Sequence, residues 1–269
     1  MIPEEQKAFF ESQGYLVVED LLSAGEVAEC EAEIERLHRL AAALEARDDP
    51  AVRRFQREPY AGGAVRVGLP VLRKIEQTRE ISEVFRRLAA HPGLLEVIRT
   101  LIGPDLLLFR STLMLKPAYH GSAHGLHQDS AYWPMHPPTL VTVSVALSDA
   151  TPENGCFQVI PKSHTWGMQA WGRIAREQDE ALTDREDVDL SAQIEVSLSA
   201  GSALLFHSLL VHGSGPNRSP HPRHTALYAY FPPAVRYVPK AGGPRQKVFP
   251  VVAGLGGAKE LTLVAEEGD

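Results

Sequence analysis

The feature that most constrains the fold is a change of sequence pattern after Asp105. From there the chain carries short runs of aliphatic, aromatic and β-branched residues, separated by turn sequences such as Pro-Glu-Asn-Gly at 152–155. The predicted strands are Leu106–Lys116, 140–147, 157–160, 194–198, 203–206 and 224–231. No helix-length pattern alternates with these strands, which disfavours a parallel sheet and predicts an antiparallel sandwich or barrel.

Helical patterns are confined to the first hundred residues. Ser23, with Glu26 three positions later, forms a capping box at the start of a long helix. Gly14 is expected to end a first, shorter helix, and Tyr15–Val18 reads as a strand. The predicted helices are Glu4–Gln13, the one that begins after Ser23, 81–90 and Pro92–Ile102.

We expect one domain over residues 1–269, mainly β with flanking α-helices. In this division a helical part, 1–104, packs on one face of a β core, 105–233, and a tail, 234–269, follows. The tail is expected to be loop-like from residue 240 because of its glycines. A charged segment, 172–189, is expected to be a long loop with a helical turn.

Composition argues against several classes of partner. The chain has 27 basic and 34 acidic side chains, a formal charge of −7 and a pI near 5.9, so neither a nucleic acid nor an anionic membrane is expected to bind. Two long uncharged stretches, 130–148 and 196–217, are interrupted by proline or glycine and are not membrane spans. No signal peptide is visible at the N-terminus, and two cysteines are too few for a disulfide scaffold, so a cytoplasmic protein is expected.

Three side chains could together bind a metal ion. His127 and Asp129 are two residues apart, so in an extended segment they point the same way. His212, at the end of an apolar run, offers a third ligand, and two histidines with one carboxylate form the facial triad of non-haem Fe(II) oxygenases. A His-x-Asp pair alone is weak evidence, because it also occurs in solvated turns. His207 is a rival for the third position.

Arg223 follows His212 by eleven residues, within a predicted strand. A guanidinium directed into the barrel would be a costly buried charge unless it paired with an anion, and its fork suits a carboxylate. A solvent-facing edge arginine is the alternative, since Arg218, His221 and His224 lie nearby in the sequence.

Taken together, these segments resemble the phytanoyl-CoA dioxygenase family of Fe(II)/2-oxoglutarate oxygenases. The resemblance covers about Glu4 to Pro233 and is specific because its motifs occur in the family's order. They are LHQD at 126–129, ALSDATPENGC at 146–156, VIPKSH at 159–164 and HGSGPN at 212–217, followed by Arg223. One departure is Lys162, where the family usually has glycine, and it affects only a local turn.

The resemblance implies a double-stranded β-helix, also called a jelly roll, with His127, Asp129 and His212 as the Fe(II) ligands. It further implies that Arg223 and the Ser214 hydroxyl hold the distal carboxylate of 2-oxoglutarate. The remaining residues implied at the cosubstrate or substrate side are Gln128, Thr112 and Lys74, with Arg73 as an alternative to Lys74.

The activity that the resemblance implies is hydroxylation of an aliphatic C–H bond, which consumes O2 and releases succinate and CO2. Asp129 is the residue that related halogenases replace to make room for chloride, so its presence makes hydroxylation the default. Epimerisation, desaturation and cyclisation stay open. A cupin-type metal-binding protein without oxygenase activity is the alternative from another class, and Zn(II), Ni(II) or Co(II) could occupy the same ligands.

The expected partner is a small organic substrate, a natural-product or lipid-like intermediate, and the protein is expected to be a monomer or homodimer. No basic cluster for the phosphates of coenzyme A is evident in the sequence. Aromatic and thioether side chains are candidates for the mouth of the site, as are three histidines expected on loops, whereas His221 and His224 are expected at the surface or a strand edge. These mouth candidates are Tyr132, Trp133, Trp166, Met168, Trp171, His120, His124 and His136.

Overall fold

The computed structural model describes residues 2–61, 65–66 and 68–266. The helices are α1 (Glu4–Gln13), α2 (Ala24–Glu45), α3 (Thr78–Ile81), α4 (Glu83–Leu88) and α5 (Pro92–Ile102). The strands of the N-terminal part are β1 (Tyr15–Val18), β2 (Phe55–Arg57), β3 (Val65–Arg66), β4 (Leu69–Pro70) and β5 (Leu72–Glu76). Those that follow are β6 (Leu106–Lys116), β7 (Ala123–His127), β8 (Met135–His136), β9 (Val141–Ala146), β10 (Phe157–Val159), β11 (Ala175–Arg176), β12 (Ile194–Val196), β13 (Ala203–His207), β14 (His212–Ser214), β15 (Arg223–Phe231), β16 (Arg236–Tyr237), β17 (Gln246–Ala253) and β18 (Glu260–Val264).

The helix ends follow local sequence. Gly14, at a φ of 83°, ends α1, and its N–H donates to the Phe10 carbonyl. Ser23 and Glu26 form the predicted capping box at the start of α2. The helix predicted over 81–90 is instead two helices, because Ser82 is extended and its hydroxyl caps α4 by accepting from the Phe85 N–H.

Two antiparallel sheets form the jelly roll, which confirms the predicted fold. The larger has the order β1-β13-β9-β15-β6-β17-β18, with β5 beside the far end of β6 and β2 beside β5. The smaller has the order β11-β7-β14-β10-β12. β7 and β14 are therefore neighbours, with His127 directly opposite His212.

The helices cover the outer face of the larger sheet. Tyr228 and Tyr230 of β15 are fully buried against them, and their hydroxyls donate to the Phe85 and Ala89 carbonyls at 3.1 and 2.9 Å. Because side chains alternate along a strand, Arg223 and Leu227 of β15 face the opposite way, into the space between the sheets. β15 thus separates the helical core from the candidate site.

The C-terminal tail is not loop-like, which corrects the sequence-based expectation. β17 and β18 form a hairpin, and β17 adds to the larger sheet beside β6, so that sheet extends beyond the predicted boundaries of 105–233. Pro250 and the nearby glycines hide the strand pattern in the sequence. Packing of Phe249 on Phe231, with ring centroids 5.0 Å apart, stabilises the strand nonetheless.

No helix in the described part of the chain combines the length and the apolar character needed to cross a membrane.

Candidate active site

The structure brings His127, Asp129 and His212 together on the inner side of the smaller sheet. The Nε2 atoms of His127 and His212 lie 3.7 and 4.0 Å from Oδ1 of Asp129. One ligand atom from each residue falls within 4.8 Å of the other two, and all three residues are buried. Two imidazole nitrogens and a carboxylate oxygen at this spacing could hold one metal ion.

Hydrogen bonds orient all three side chains. The Nδ1–H groups of His127 and His212 donate to the carbonyls of Gly125 and Leu210, both at 2.9 Å, which leaves each Nε2 lone pair free for a metal. The Thr142 hydroxyl donates to Oδ2 of Asp129 at 2.7 Å. Burial, with the neighbouring His212 as a smaller cause, lowers the pKa of His127 to about 4, so its imidazole is neutral and ready to bind at physiological pH.

Arg223 lies in the interior, only 2% exposed, and not at a solvent-facing edge. Its Nη1 donates to the Gly155 carbonyl at 2.5 Å, and its Nε has no hydrogen-bond partner among the described residues. Burial lowers the pKa of Arg223 to about 10, so the guanidinium is still charged at neutral pH. A buried cation with an unpartnered N–H favours binding of an anion.

One cavity of about 360 Å³ contains the triad and Arg223. Ser214, Thr112 and Lys74 line it, and so does Arg73, so both candidates for the basic residue lie at the cavity wall. Nζ of Lys74 is 2.5 Å from Oε1 of Glu76, and Arg73 donates to Nδ1 of His124 at 2.8 Å. Burial, and secondarily Arg110, lowers the pKa of Lys74.

Gln128 does not line this cavity, contrary to the expectation that it contacts cosubstrate or substrate. Its Nε2 donates to the carbonyls of Gly167 and Leu209 at 2.9 and 2.8 Å. Its Oε1 accepts from the Gln169 N–H at 2.8 Å and from the Trp171 indole at 3.1 Å. Alternation along the segment explains the difference, because the residue between two inward ligands points outward.

Three other histidines differ from their predicted places, and the first is His136, which lies in strand β8 and not on a mouth loop. His124 lies in strand β7 and lines the cavity, not a mouth loop. His224 is buried, with Nδ1 2.9 Å from both carboxylate oxygens of Glu31 on α2. His207 lies outside the triad, and its Nδ1 accepts from the Leu209 N–H at 3.1 Å.

The candidate mouth residues divide into two groups. Tyr132 and Trp133 line the cavity. Trp166 and Met168 are exposed, and Trp171 is held by Gln128.

Sequence reasoning missed two cationic residues of the cavity, Arg110 and Lys116. Both lie on β6 at even spacing from Thr112, so strand alternation was the signal that could have identified them. Lys116 is buried and donates to the carbonyls of Ser122 and Gly215 at 2.7 and 2.5 Å. Burial, followed by the neighbouring Arg223, lowers its pKa well below the usual range.

Comparison with known proteins identifies the class. Residues 10–225 match the model of the phytanoyl-CoA dioxygenase family. The ectoine dioxygenase of Nocardia farcinica (strain IFM 10152) is 30% identical over 245 residues, 85% of this chain and 78% of that protein. The human peroxisomal phytanoyl-CoA dioxygenase is 25% identical over 93% of this chain and 75% of its own.

A solved structure shows the same fold. The apo structure of the non-heme monooxygenase ThoJ matches with a TM-score of 0.73 at 26% identity, covering 97% of this chain and 89% of that one.

The chain belongs to the phytanoyl-CoA dioxygenase family. It is an Fe(II)- and 2-oxoglutarate-dependent dioxygenase, so the predicted enzyme class and cofactors are confirmed. The alternative of a metal-binding jelly roll without oxygenase activity is thereby set aside.

Proposed function

We propose that this enzyme hydroxylates an aliphatic C–H bond of a small organic molecule. In the overall reaction the substrate, 2-oxoglutarate and O2 give the hydroxylated product, succinate and CO2. The main support for the proposal is that one cavity is lined by His127, Asp129 and His212 and also by the buried guanidinium of Arg223.

His127, Asp129 and His212 are the proposed Fe(II) ligands. Their donor set fits this ion, since two neutral imidazoles and a carboxylate are the facial triad of such oxygenases. With 2-oxoglutarate and O2, bound Fe(II) supplies the oxidising power that an unactivated C–H bond requires. The carbonyls of Gly125 and Leu210 accept from Nδ1–H and so leave Nε2 of each ring as the atom that would bind the metal.

Arg223 and Ser214 are the proposed partners of the distal carboxylate of 2-oxoglutarate. The charged guanidinium lacks a partner at Nε, and a carboxylate would satisfy it in a charge-assisted pair. Thr112 and Lys74 lie at the wall of the same cavity, where Lys74 is bonded to Glu76. Their roles toward the cosubstrate are part of the proposal.

Tyr132 and Trp133 are proposed to contact the substrate. Both line the cavity, and the Tyr132 ring lies 6.1 Å from the ring of His127, a proposed metal ligand. Apolar rings there would exclude water and place an aliphatic carbon beside the reacting centre. Asp129 occupies the third ligand position, which favours hydroxylation over halogenation.

An anaerobic titration tests the cofactor site. Fe(II) and then 2-oxoglutarate are added to metal-free protein, and we expect a saturable visible charge-transfer band. His212→Ala should abolish the band, whereas the matched His207→Ala should keep it. The metal assignment would be wrong if the two variants behaved the other way round.

Product analysis tests the reaction type. Once a substrate is found, we expect its product to gain one oxygen atom for each succinate released, with the oxygen derived from 18O2. A product of unchanged mass would indicate epimerisation instead of hydroxylation. A product lighter by two hydrogens would indicate desaturation or cyclisation.

A further inference from the structure

A second cavity, of about 580 Å³, adjoins the one that contains the metal ligands. Arg110, Tyr132 and Trp133 line both cavities, so these three side chains form the boundary between them. A molecule that passes this boundary would have one end near the triad and the other in the second cavity.

The far wall of the second cavity belongs to the C-terminal hairpin. Phe249 and Lys247 of β17 face Phe109 of β6, and the Phe109 ring is 6.1 Å from Phe249 and 4.8 Å from Trp133. This wall lies beyond residue 225, where the match to the family model ends. Charged side chains line much of the rest of this cavity, so its lining combines aromatic rings with ionic groups.

Positive charge accumulates beside the second cavity. Glu76 is shared by two cations, with its Oε1 2.5 Å from Nζ of Lys74 and 3.1 Å from Nη2 of Arg110. Nζ of Lys247 lies over the Phe109 and Phe249 rings, at 4.9 and 5.2 Å, and no carboxylate of the described residues pairs with it. Of these cations Lys74 lines only the first cavity, and Arg79 is a further cation of the second, so Arg79, Arg110 and Lys247 outnumber Glu76 there.

The remaining acidic groups of the second cavity do not cancel this charge. Glu80 pairs with Arg54 at 2.7 Å, and Glu260 is exposed at the rim. Burial, and then repulsion from Arg110, lowers the pKa of Lys247, so an anion that approached these two side chains would relieve an unfavourable pairing. The formal charge of −7 for the whole chain does not describe this region, because β5, β6 and β17 bring the cations together from distant parts of the sequence.

We propose that the substrate is a carboxylic acid with an apolar body, whose carboxylate binds Arg110 and Lys247 in the second cavity. The apolar body then crosses the boundary beside Tyr132 and Trp133 and presents an aliphatic carbon to the triad. This inference rests on the proposed function and adds the class of its substrate.

Calorimetry with a matched pair of probes tests the inference. Octanoate and its uncharged counterpart octanamide are titrated into the full-length protein loaded with Mn(II) and 2-oxoglutarate. We expect octanoate to bind at least about tenfold more tightly than octanamide, because a hydrogen-bonded ion pair is lost in the amide. Equal affinities, or no binding of octanoate at millimolar concentration, would overturn the inference.

Three variants test whether Lys247 of the C-terminal hairpin is responsible for the preference for octanoate over octanamide. Lys247→Met should weaken octanoate binding about tenfold and leave octanamide unchanged, whereas Lys247→Arg should retain the preference for the acid. Lys259→Met, which removes an exposed lysine of the same hairpin, is the control and should change neither affinity. A loss of acid and amide binding alike in Lys247→Met would indicate a structural role and contradict the proposal.

The experiments distinguish a failure of the proposed cofactor site from a failure of the proposed substrate class. Absence of the charge-transfer band with Fe(II) and 2-oxoglutarate would refute the cofactor site whatever the calorimetry showed. A normal band without a preference for the acid would refute only the substrate class.

Discussion

At the scale of single residues, the two histidines of the triad are oriented by the same kind of hydrogen bond. Each donates its Nδ1–H to the backbone carbonyl two residues earlier in the chain, so a local backbone group orients each ring. Asp129 differs, because its second oxygen depends on a side chain, the Thr142 hydroxyl of β9 in the opposite sheet.

Thr142→Val should therefore weaken metal binding while the fold is retained. Valine has nearly the same shape but leaves the buried Oδ2 of Asp129 without its donor, and losses of about tenfold to a hundredfold are usual for such partners of a ligand. Titration with Mn(II) measures the change. The exposed Thr139→Val serves as the control, and an unchanged affinity in Thr142→Val would contradict the role given to this hydroxyl.

His207 should contribute to acid sensitivity. Burial, and secondarily His164, lowers the pKa of His207 to about 4 from 6.5, so the unfolded chain binds a proton more readily than the folded protein. The free energy of unfolding should thus fall as the pH decreases from about 6.5 toward about 4, by up to about 3 kcal/mol from this residue. His207→Gln should show a smaller decrease in urea denaturation of the metal-free protein. An identical pH dependence would exclude this contribution.

The convergence of the proposed metal ligands with Arg223 was predictable because their motifs are local. His127 and Asp129 lie in one segment, and His212 and Arg223 lie in another, in the family's order. The cationic pair of the second cavity was not predictable, because Arg110 and Lys247 become neighbours only when β6 pairs with β17. Their proximity depends on pairing between strands that are far apart in the sequence, so it cannot be predicted from the spacing of residues along the chain.

At the scale of elements, the segment that carries two proposed ligands also anchors a loop. Gln128, between His127 and Asp129, makes hydrogen bonds to Gly167, Gln169 and Trp171, and so fastens this loop to the smaller sheet. β11 adds a second attachment by pairing with β7. The 172–189 segment, expected to be a long loop with a helical turn, is therefore attached to the sheet near its start.

Gln128→Leu should release this loop. The substitution leaves two carbonyls, one N–H and one indole N–H without their partner, at a cost of about 1–3 kcal/mol for each group that stays buried. Hydrogen exchange should increase over 167–171 more than in the core strand β9. Gln158→Leu, whose amide bonds Glu195 near the surface, is the matched control. Unchanged exchange in Gln128→Leu would contradict the anchoring role.

Other elements show where local sequence patterns are sufficient to predict the bounds of a helix or strand. α1 and α5 have the predicted bounds because each carries its own signals, Gly14 after the first and Pro92 at the start of the second. β17 was missed because its proline and the following glycines suggest a loop, and only contacts with distant aromatic rings make it a strand.

At the scale of the whole molecule, the two proposed halves of the cofactor site lie on different sheets. His127 and His212 belong to β7 and β14 of the smaller sheet, whereas Arg223 belongs to β15 of the larger. A cosubstrate held at both ends would join the sheets, so binding of metal and of 2-oxoglutarate should stabilise the fold cooperatively.

Thermal unfolding checks this coupling. Mn(II) and 2-oxoglutarate together should raise Tm by more than the sum of their separate effects. Arg223→Ala should remove the excess and weaken 2-oxoglutarate binding by about tenfold to a hundredfold, because the distal carboxylate loses a charged hydrogen-bond partner. Additive shifts in the wild-type protein would argue against a ligand that contacts both sheets.

The separation of the two anchors has a further consequence for which oxoacids the enzyme accepts. The spacing between the packed sheets would then contribute to the choice of cosubstrate. We expect a diacid one carbon shorter or longer than 2-oxoglutarate to bind less tightly, because it would fit the distance between the proposed metal ligands and Arg223 less well. Length selection would thus be a property of the two sheets together.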